Sequence, residues 1–274
     1  MKSFLLFLLF ALPSCARLQA QSYDELCQRA ARYAAHDSLP QAEACIRQAL
    51  RAEPANAGNV LLFSNLGTLQ RRQGKMDEAL ESYTYALNIA PRSVPILMNR
   101  ATLLLEMGQD ERARIDYSLV LDLDATNTEA LLMRAYIYTR ERNYAFARSD
   151  YQRLLRIDPT HYNGRLGLAT LEQRTGNLSK ATDLLSAMLL EHPDDATLYL
   201  ARADVELDME QPDAALLDVE ESIKRNPDRP EAYVLRGRIL LGRGQKKAAR
   251  SSLEQAVSLG AARADLLEWL SQCK

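Results

Sequence analysis

Arginine and aspartate recur sixteen residues apart at three points of the chain, Arg100 with Asp116, Arg134 with Asp150, and Arg202 with Asp218. A guanidinium facing a carboxylate can tune a reacting group or simply fix geometry. The second use fits here, because the two residue types come and go together: Leu66 and Leu168 hold the arginine's place elsewhere, and neither has an aspartate sixteen residues on. The pairs are therefore read as structural ion pairs, with Arg29 opposite Cys45 and Arg236 opposite Ser252 outside the rule. His36, His161 and His192 stand apart from one another, and none has a second ligand at a metal spacing. No glycine-rich phosphate loop or nucleophile elbow is present, and acid pairs such as Glu220-Glu221 and Asp194-Asp195 read as solvated faces or caps. The expectation is a non-enzymatic protein with no catalytic residues, no metal and no cofactor. A cryptic hydrolase would instead need titratable groups gathered in one perturbed cluster.

The elements that carry these residues repeat every 34 positions. Small residues mark the period: Ala30, Gly67, Ala101, Ala135, Ala169, Ala203 and Gly237 fall at place 8 of successive units, and Ala42, Ala79, Ala113, Ala147, Ala181, Ala215 and Ala249 at place 20. Two antiparallel helices approach closely only where side chains are small, so these columns mark the seam between helix A and helix B of a hairpin. Apolar residues around the seam follow helical spacing, as in Leu97, Ala101 and Leu104, then Ala113, Tyr117 and Val120. Gly74, Gly108, Gly176 and Gly244 at place 15 end helix A, since glycine takes the left-handed conformation of a helix stop without strain. Asp37, Arg142 and Glu210 stand there in three units, which predicts turns of another type or under strain. Proline at place 32 (Pro54, Pro91, Pro159, Pro193 and Pro227, with Ala125 and Ala261 departing) ends helix B.

These columns resemble the tetratricopeptide repeat (TPR). The resemblance implies an all-α fold, a right-handed α-solenoid of seven TPR helical hairpins, at 23–56, 60–93, 94–127, 128–161, 162–195, 196–229 and 230–263. Residues 57–59 form an insertion, and residues 264–274, apolar on one side, form a capping helix. Because stacked repeats share one continuous core, residues 21–263 count as one domain. Place 4 is otherwise large and apolar, so Arg165 there predicts looser packing in the fifth unit.

In such proteins the helix A faces line a concave groove, at places 2, 5, 6, 9, 12 and 13. The resemblance therefore implies a peptide- or protein-binding groove formed by Asn65, Thr68, Arg71, Arg72, Asn99, Thr102, Tyr136, Arg140, Thr170 and Arg174. Arg72, Arg140 and Arg174 share place 13 and could fork acidic side chains or a terminal carboxylate; the alternative is that they are solvated, with Glu106 interrupting the stripe. Place 5 reads Cys27, Ser64, Met98, Leu132, Leu166, Leu200 and Val234, so the chaperone-binding clamp of some TPR proteins, which wants Lys there, is absent. That row could contact the apolar side chains of a ligand or pack on itself. Asp204 and Arg238 share place 9 of adjacent units, where an ion-pair ladder is expected, and Lys246, Lys247 and Arg250 could instead meet anionic headgroups if their helix faces outward.

The formal charge is −2 at pH 7, and it becomes about −4 without residues 1–20, which hold Lys2 and Arg17 but no acid; neither value favours nucleic acid as a partner. Lys2 followed by the apolar run Phe4 to Leu12 reads as a signal peptide over residues 1–20, so the mature protein is expected to be exported, in the periplasm or associated with the cell envelope. Two processing routes stay open. Leu18-Gln19-Ala20 suits signal peptidase, whereas Leu12-Pro13-Ser14-Cys15 resembles a lipoprotein lipobox; lipidated Cys15 would make the protein a lipid-anchored envelope assembly factor. No later stretch approaches the roughly 20 apolar residues of a spanning helix, so membrane contact is expected only through such an anchor. A Cys27–Cys45 disulfide is open in an oxidising compartment, against two ordinary thiols, while Cys273 would be unpaired.

Overall fold

The computed structural model describes residues 22–273. The leader expected at residues 1–20, with Cys15, lies outside the described residues. Fifteen α-helices follow one another among them: α1 (Tyr23–Ala35), α2 (Leu39–Ala52), α3 (Asn59–Arg72), α4 (Met76–Ile89), α5 (Val94–Glu106), α6 (Asp110–Leu123), α7 (Thr128–Arg140), α8 (Tyr144–Ile157), α9 (Tyr162–Arg174), α10 (Leu178–Glu191), α11 (Ala196–Asp208), α12 (Pro212–Arg225), α13 (Pro230–Gly242), α14 (Lys246–Ser258) and α15 (Leu267–Gln272). The chain divides inside α5 into two compact units, one up to Leu103 and one from Leu104.

In the first unit α1 packs on α2, α2 on α3, and α3 on α4. The second repeats the scheme, with hairpins α7–α8, α9–α10, α11–α12 and α13–α14, each stacked on the next. The small columns are the reason these helices meet. Ala42 and Ala79 in the first unit, and Ala113, Ala147, Ala181, Ala215 and Ala249 in the second, are all fully buried at the seams. Large side chains fill the space on either side, among them Tyr83 in the first unit and Tyr117, Leu154, Leu185 and Leu253 in the second, all without exposure or nearly so.

At the turns without glycine the strained alternative holds, not a different turn type. Asp37, Arg142 and Glu210 have φ of 57, 61 and 60°, in the same left-handed region as Gly74, Gly108, Gly176 and Gly244 at 72 to 78°. One turn type thus serves with and without glycine, because the hairpin geometry imposes the conformation and the three side chains bear its cost. Arg165 of the fifth unit is buried, and its guanidinium meets Glu191 at 2.6 Å, so an ion pair stands where the other repeats carry a large apolar group.

The C-terminal cap is not a single helix. A 3-10 turn, Arg263–Leu266, comes before α15, and the turn sends Leu266 into a core with Tyr233, Leu240, Leu253 and Ala256, while Trp269 and Leu270 of α15 cover its edge. Cys27, Cys45 and Cys273 are free thiols, so the Cys27–Cys45 bridge is not formed.

Candidate functional site

On the first helices of the repeats, Cys27, Leu132, Leu166, Leu200 and Val234 of place 5 line open cavities. In the first unit a cavity of about 270 Å³ opens between α1 and α3, lined by Cys27, Ala31, Ala34, Asn65, Thr68 and Arg72. In the second unit a cavity of about 440 Å³ lies between α7 and α9, with Leu132, Leu166 and Tyr136 as apolar walls and Thr139, Asn163, Thr170, Arg140 and Arg174 as polar lining. Another, about 470 Å³, lies between α9, α11 and α13 and combines Leu166, Leu200 and Val234 with Asp204, Arg229, Glu231 and Arg238.

Seven of the sequence-derived groove residues line these cavities: Asn65, Thr68 and Arg72 in the first unit, and Tyr136, Arg140, Thr170 and Arg174 together in the α7–α9 cavity. Arg71, Asn99 and Thr102 line none of the three; Thr102 turns its hydroxyl back to the Met98 carbonyl at 2.9 Å. The arginines of place 13 also differ among themselves. Arg72 binds Asp37 at 2.7 Å, and Arg140 binds Asp110 at 3.1 Å while lying 5.8 Å over the Tyr136 ring. Arg174 has no ion pair among the described residues, is exposed, and acts electrostatically on Tyr151 at the cavity floor.

Tyr151 and Gly167 were not legible as site residues. Tyr151 belongs to α8, the second helix of its repeat, yet its ring reaches the cavity because Gly167 of α9 has no side chain: a Cβ there would sit 2.6 Å from the ring. Burial pushes the Tyr151 hydroxyl up, against a lowering hydrogen bond with Thr139, so it stays protonated and can donate. The α7–α9 cavity is therefore an apolar, aromatic recess with two guanidinium groups at its rim and a hydroxyl at its floor. It suits a large apolar side chain next to a carboxylate.

The arginines of place 7 play another part. Arg134 donates from Nε and Nη2 to Asp150 at 2.7 and 2.8 Å, and from Nη1 to Ser118 of the preceding repeat at 3.1 Å. Arg202 does the same with Asp218 (2.6 and 2.9 Å) and Ser186 (3.0 Å). Arg236 reverses the polarity, donating to Ser252 at 3.0 Å within its repeat and to Glu220 of the preceding one at 3.3 Å. Arg100 reaches back to Thr84 at 3.5 Å. The arm to the preceding repeat was missed, although a hydroxyl or carboxylate sixteen residues before each arginine is its signal. The Asp204–Arg238 contact measures 3.4 Å between half-exposed side chains, and such a pair adds little stability. His161 caps α9, its Nδ1 accepting from the Gly164 amide at 3.1 Å. Among the described residues no group of three or more His, Cys, Asp and Glu side chains could hold a metal ion, and no helix is long and apolar enough to cross a membrane.

The tetratricopeptide repeat profile matches residues 27–94, 64–128, 138–205 and 200–265, which is most of the chain. The chain belongs to the tetratricopeptide repeat family. A TPR protein from Parabacteroides merdae, solved by crystallography, is 36% identical and superposes with a TM-score of 0.79 over 92% of this chain and 99% of its own. More distant structures share the fold. YrrB, described as a TPR protein with an unusual peptide-binding site, is 16% identical with a TM-score of 0.56, covering 68% of this chain and 95% of its own. PilW, described as a widely conserved type IV pilus biogenesis factor, is 17% identical with a TM-score of 0.62, covering 70% and 90%. No curated protein matches the sequence.

Proposed function

We propose that this TPR protein is a non-enzymatic interaction scaffold that holds a peptide or protein segment against the first-helix face of its repeats, with the α7–α9 cavity as the anchor. The observation that carries this reading is the gathering of Leu132, Leu166, Tyr136, Tyr151, Arg140 and Arg174 around one open recess of about 440 Å³. A large apolar or aromatic side chain of the partner fills the recess, and a neighbouring acidic side chain or C-terminal carboxylate meets Arg174 and Arg140. YrrB lends support by analogy of fold, since its description names a peptide-binding site. The apolar leader at Phe4 to Leu12 supports an exported protein of the bacterial periplasm or cell envelope.

A second reading, favoured by Leu12-Pro13-Ser14-Cys15, is a scaffold acylated at Cys15 that serves envelope assembly from the membrane surface. Intact mass of the mature protein separates the two, since acylation begins the chain at Cys15 with added lipid and peptidase cleavage begins it at Gln21. The binding claim is tested with a displayed library of peptides, some with free and some with amidated C-termini. Enriched sequences should place a large apolar residue beside an acid or the free terminus, and they should be lost on Arg174→Glu with helicity unchanged by circular dichroism. Enrichment that survives Arg174→Glu and Arg140→Glu would contradict the assignment of the site.

A further inference from the structure

Place 11 of a repeat, on its first helix, sits against place 21 on the second helix of the repeat before, and at four junctions the two sides are chemically matched. Glu43 faces Gln70 at 3.5 Å and Gln73 at 2.9 Å. Arg114 lies 5.5 Å over the Tyr138 ring and 3.2 Å from Glu141. Arg148 binds Glu172 at 2.8 Å, and Leu216 shares a core with Leu240. The α10–α11 junction breaks the rule. Its place-21 residue is Thr182, whose hydroxyl goes to the Leu178 carbonyl and Met209 Sδ, while place 11 is Glu206, an acid given no cation by α10.

Glu206 is nevertheless enclosed. Its side chain is 12% exposed, and its buried Oε2 has no hydrogen-bond partner. Its Oε1 is 3.9 Å from Arg202, but that guanidinium is already committed to Asp218 and Ser186. The Glu206 and Asp218 carboxyls converge on the same Arg202 Nε, at 3.9 and 2.6 Å, and the Asp218 charge acts on Glu206. Two enclosed carboxyls therefore share one cation. In the α7–α8 hairpin the place of Glu206 holds the neutral Tyr138, beside Arg134 and Asp150. The charged groups acting on Glu206 are two: Asp218 of α12 and Arg202 of α11 itself.

We propose that the Glu206–Asp218 carboxyl pair is a proton-operated latch on the α11–α12 hairpin, closed while the pair holds one proton and loosened when both groups are ionised. A second carboxylate with no second cation in an enclosed site is repelled by the first and gains no compensating bond. Burial and the neighbouring Asp218, only partly offset by Arg202, raise the Glu206 carboxyl to about 7. The folded chain therefore holds a proton that the unfolded chain releases near 4.5, so stability falls as pH rises from about 4.5 to about 7 and is level above. The latch matters for the second-unit face because Thr197, Leu200, Ala201 and Asp204 of α11 line the cavity between α9, α11 and α13. The inference stands independently of what that face binds.

Hydrogen exchange on the full chain between pH 5.5 and 8.5, corrected for intrinsic rates, tests it with wild type, Glu206→Gln and Thr182→Arg. In wild type the opening constant of α11 and α12 amides should rise at least about tenfold across that range, with α7 and α8 as the internal reference, whereas Glu206→Gln should hold it within about twofold. Thr182→Arg, which places a cation where Arg148 stands one repeat earlier, should also abolish the rise, and it carries the test if Glu206→Gln destabilises the fold. A flat wild-type profile, or the same rise in Glu206→Gln, overturns the latch. So does a Glu206 carboxyl carbon resonance that titrates below pH 5.

Discussion

Removing Arg134 should cost far more than removing Arg134 and Asp150 together. Arg134 is 15% exposed and Asp150 4%, and two hydrogen bonds of 2.7 and 2.8 Å join them while a third runs to Ser118. Arg134→Ala leaves the enclosed Asp150 carboxylate with only Arg153, 3.8 Å away and a third exposed, as a cation, and unfastens α7 from α6. Breaking a buried pair from one side costs about 3–5 kcal/mol, and the distant Arg153 holds this case to the lower end, about 3 kcal/mol. Arg134→Met with Asp150→Leu removes both charges and keeps the volume, so the double variant should lie within about 1 kcal/mol of wild type. For a chain of this length about 3 kcal/mol corresponds to a fall of roughly 6–12 °C in Tm. Repeat arrays unfold in parts, so the loss should also appear locally as faster hydrogen exchange in α7 and α8. An Arg134→Ala variant within about 1 kcal/mol of wild type, or a double variant as unstable as the single one, would refute the reasoning.

Gly167→Ala puts a Cβ 2.6 Å from the Tyr151 ring, which should cost about 1–3 kcal/mol in thermal unfolding and push the ring into the α7–α9 cavity, visible in a crystal structure of the variant. Burial alone would raise the Glu43 carboxyl, but hydrogen bonds from Lys75, Arg47 and Gln73 outweigh it and hold it at about 2. Its contribution is then present above pH 4.5 and is lost as pH falls towards 2; with half-exposed cationic partners it is worth about 1–2 kcal/mol, so wild type and Glu43→Gln should differ at pH 7 and converge by about pH 2 in thermal melts. Arg142→Gly removes a side chain from an exposed left-handed position (φ 61°) and should raise stability by about 0.5–1 kcal/mol in denaturant titration.

The fold was readable because close helix contact tolerates few residue types: the alanines of place 20 are fixed by sterics, so the column stays pure along the chain. The Arg134–Asp150 and Arg202–Asp218 spacings were readable for a related reason, since places 7 and 23 are equidistant from a turn of constant length. The contacts between repeats were not. At places 21 and 11 the requirement is complementarity, met by Glu43 with Gln70, Arg148 with Glu172 and Leu216 with Leu240, so neither column shows one residue type. The left-handed conformation of Asp37, Arg142 and Glu210 was hidden because their side chains disfavour what the neighbouring helices impose. Four residues of the α7–α9 cavity, namely Tyr136, Arg140, Thr170 and Arg174, followed from the resemblance to TPR proteins, which assigns their places to a groove, whereas Tyr151 enters from the other helix only because Gly167 lets it pass.

The central claim is that the first-helix face is the working surface. A photo-crosslinking amino acid placed at Thr170, inside the α7–α9 cavity, and separately at Leu190, 87% exposed on the second helix α10, tests it in native cells. One partner captured from the Thr170 position, absent from the Leu190 position and lost when Arg174→Glu is added, is the expected result. Capture from Leu190 but not from Thr170, or capture at Thr170 that survives Arg174→Glu, would contradict it.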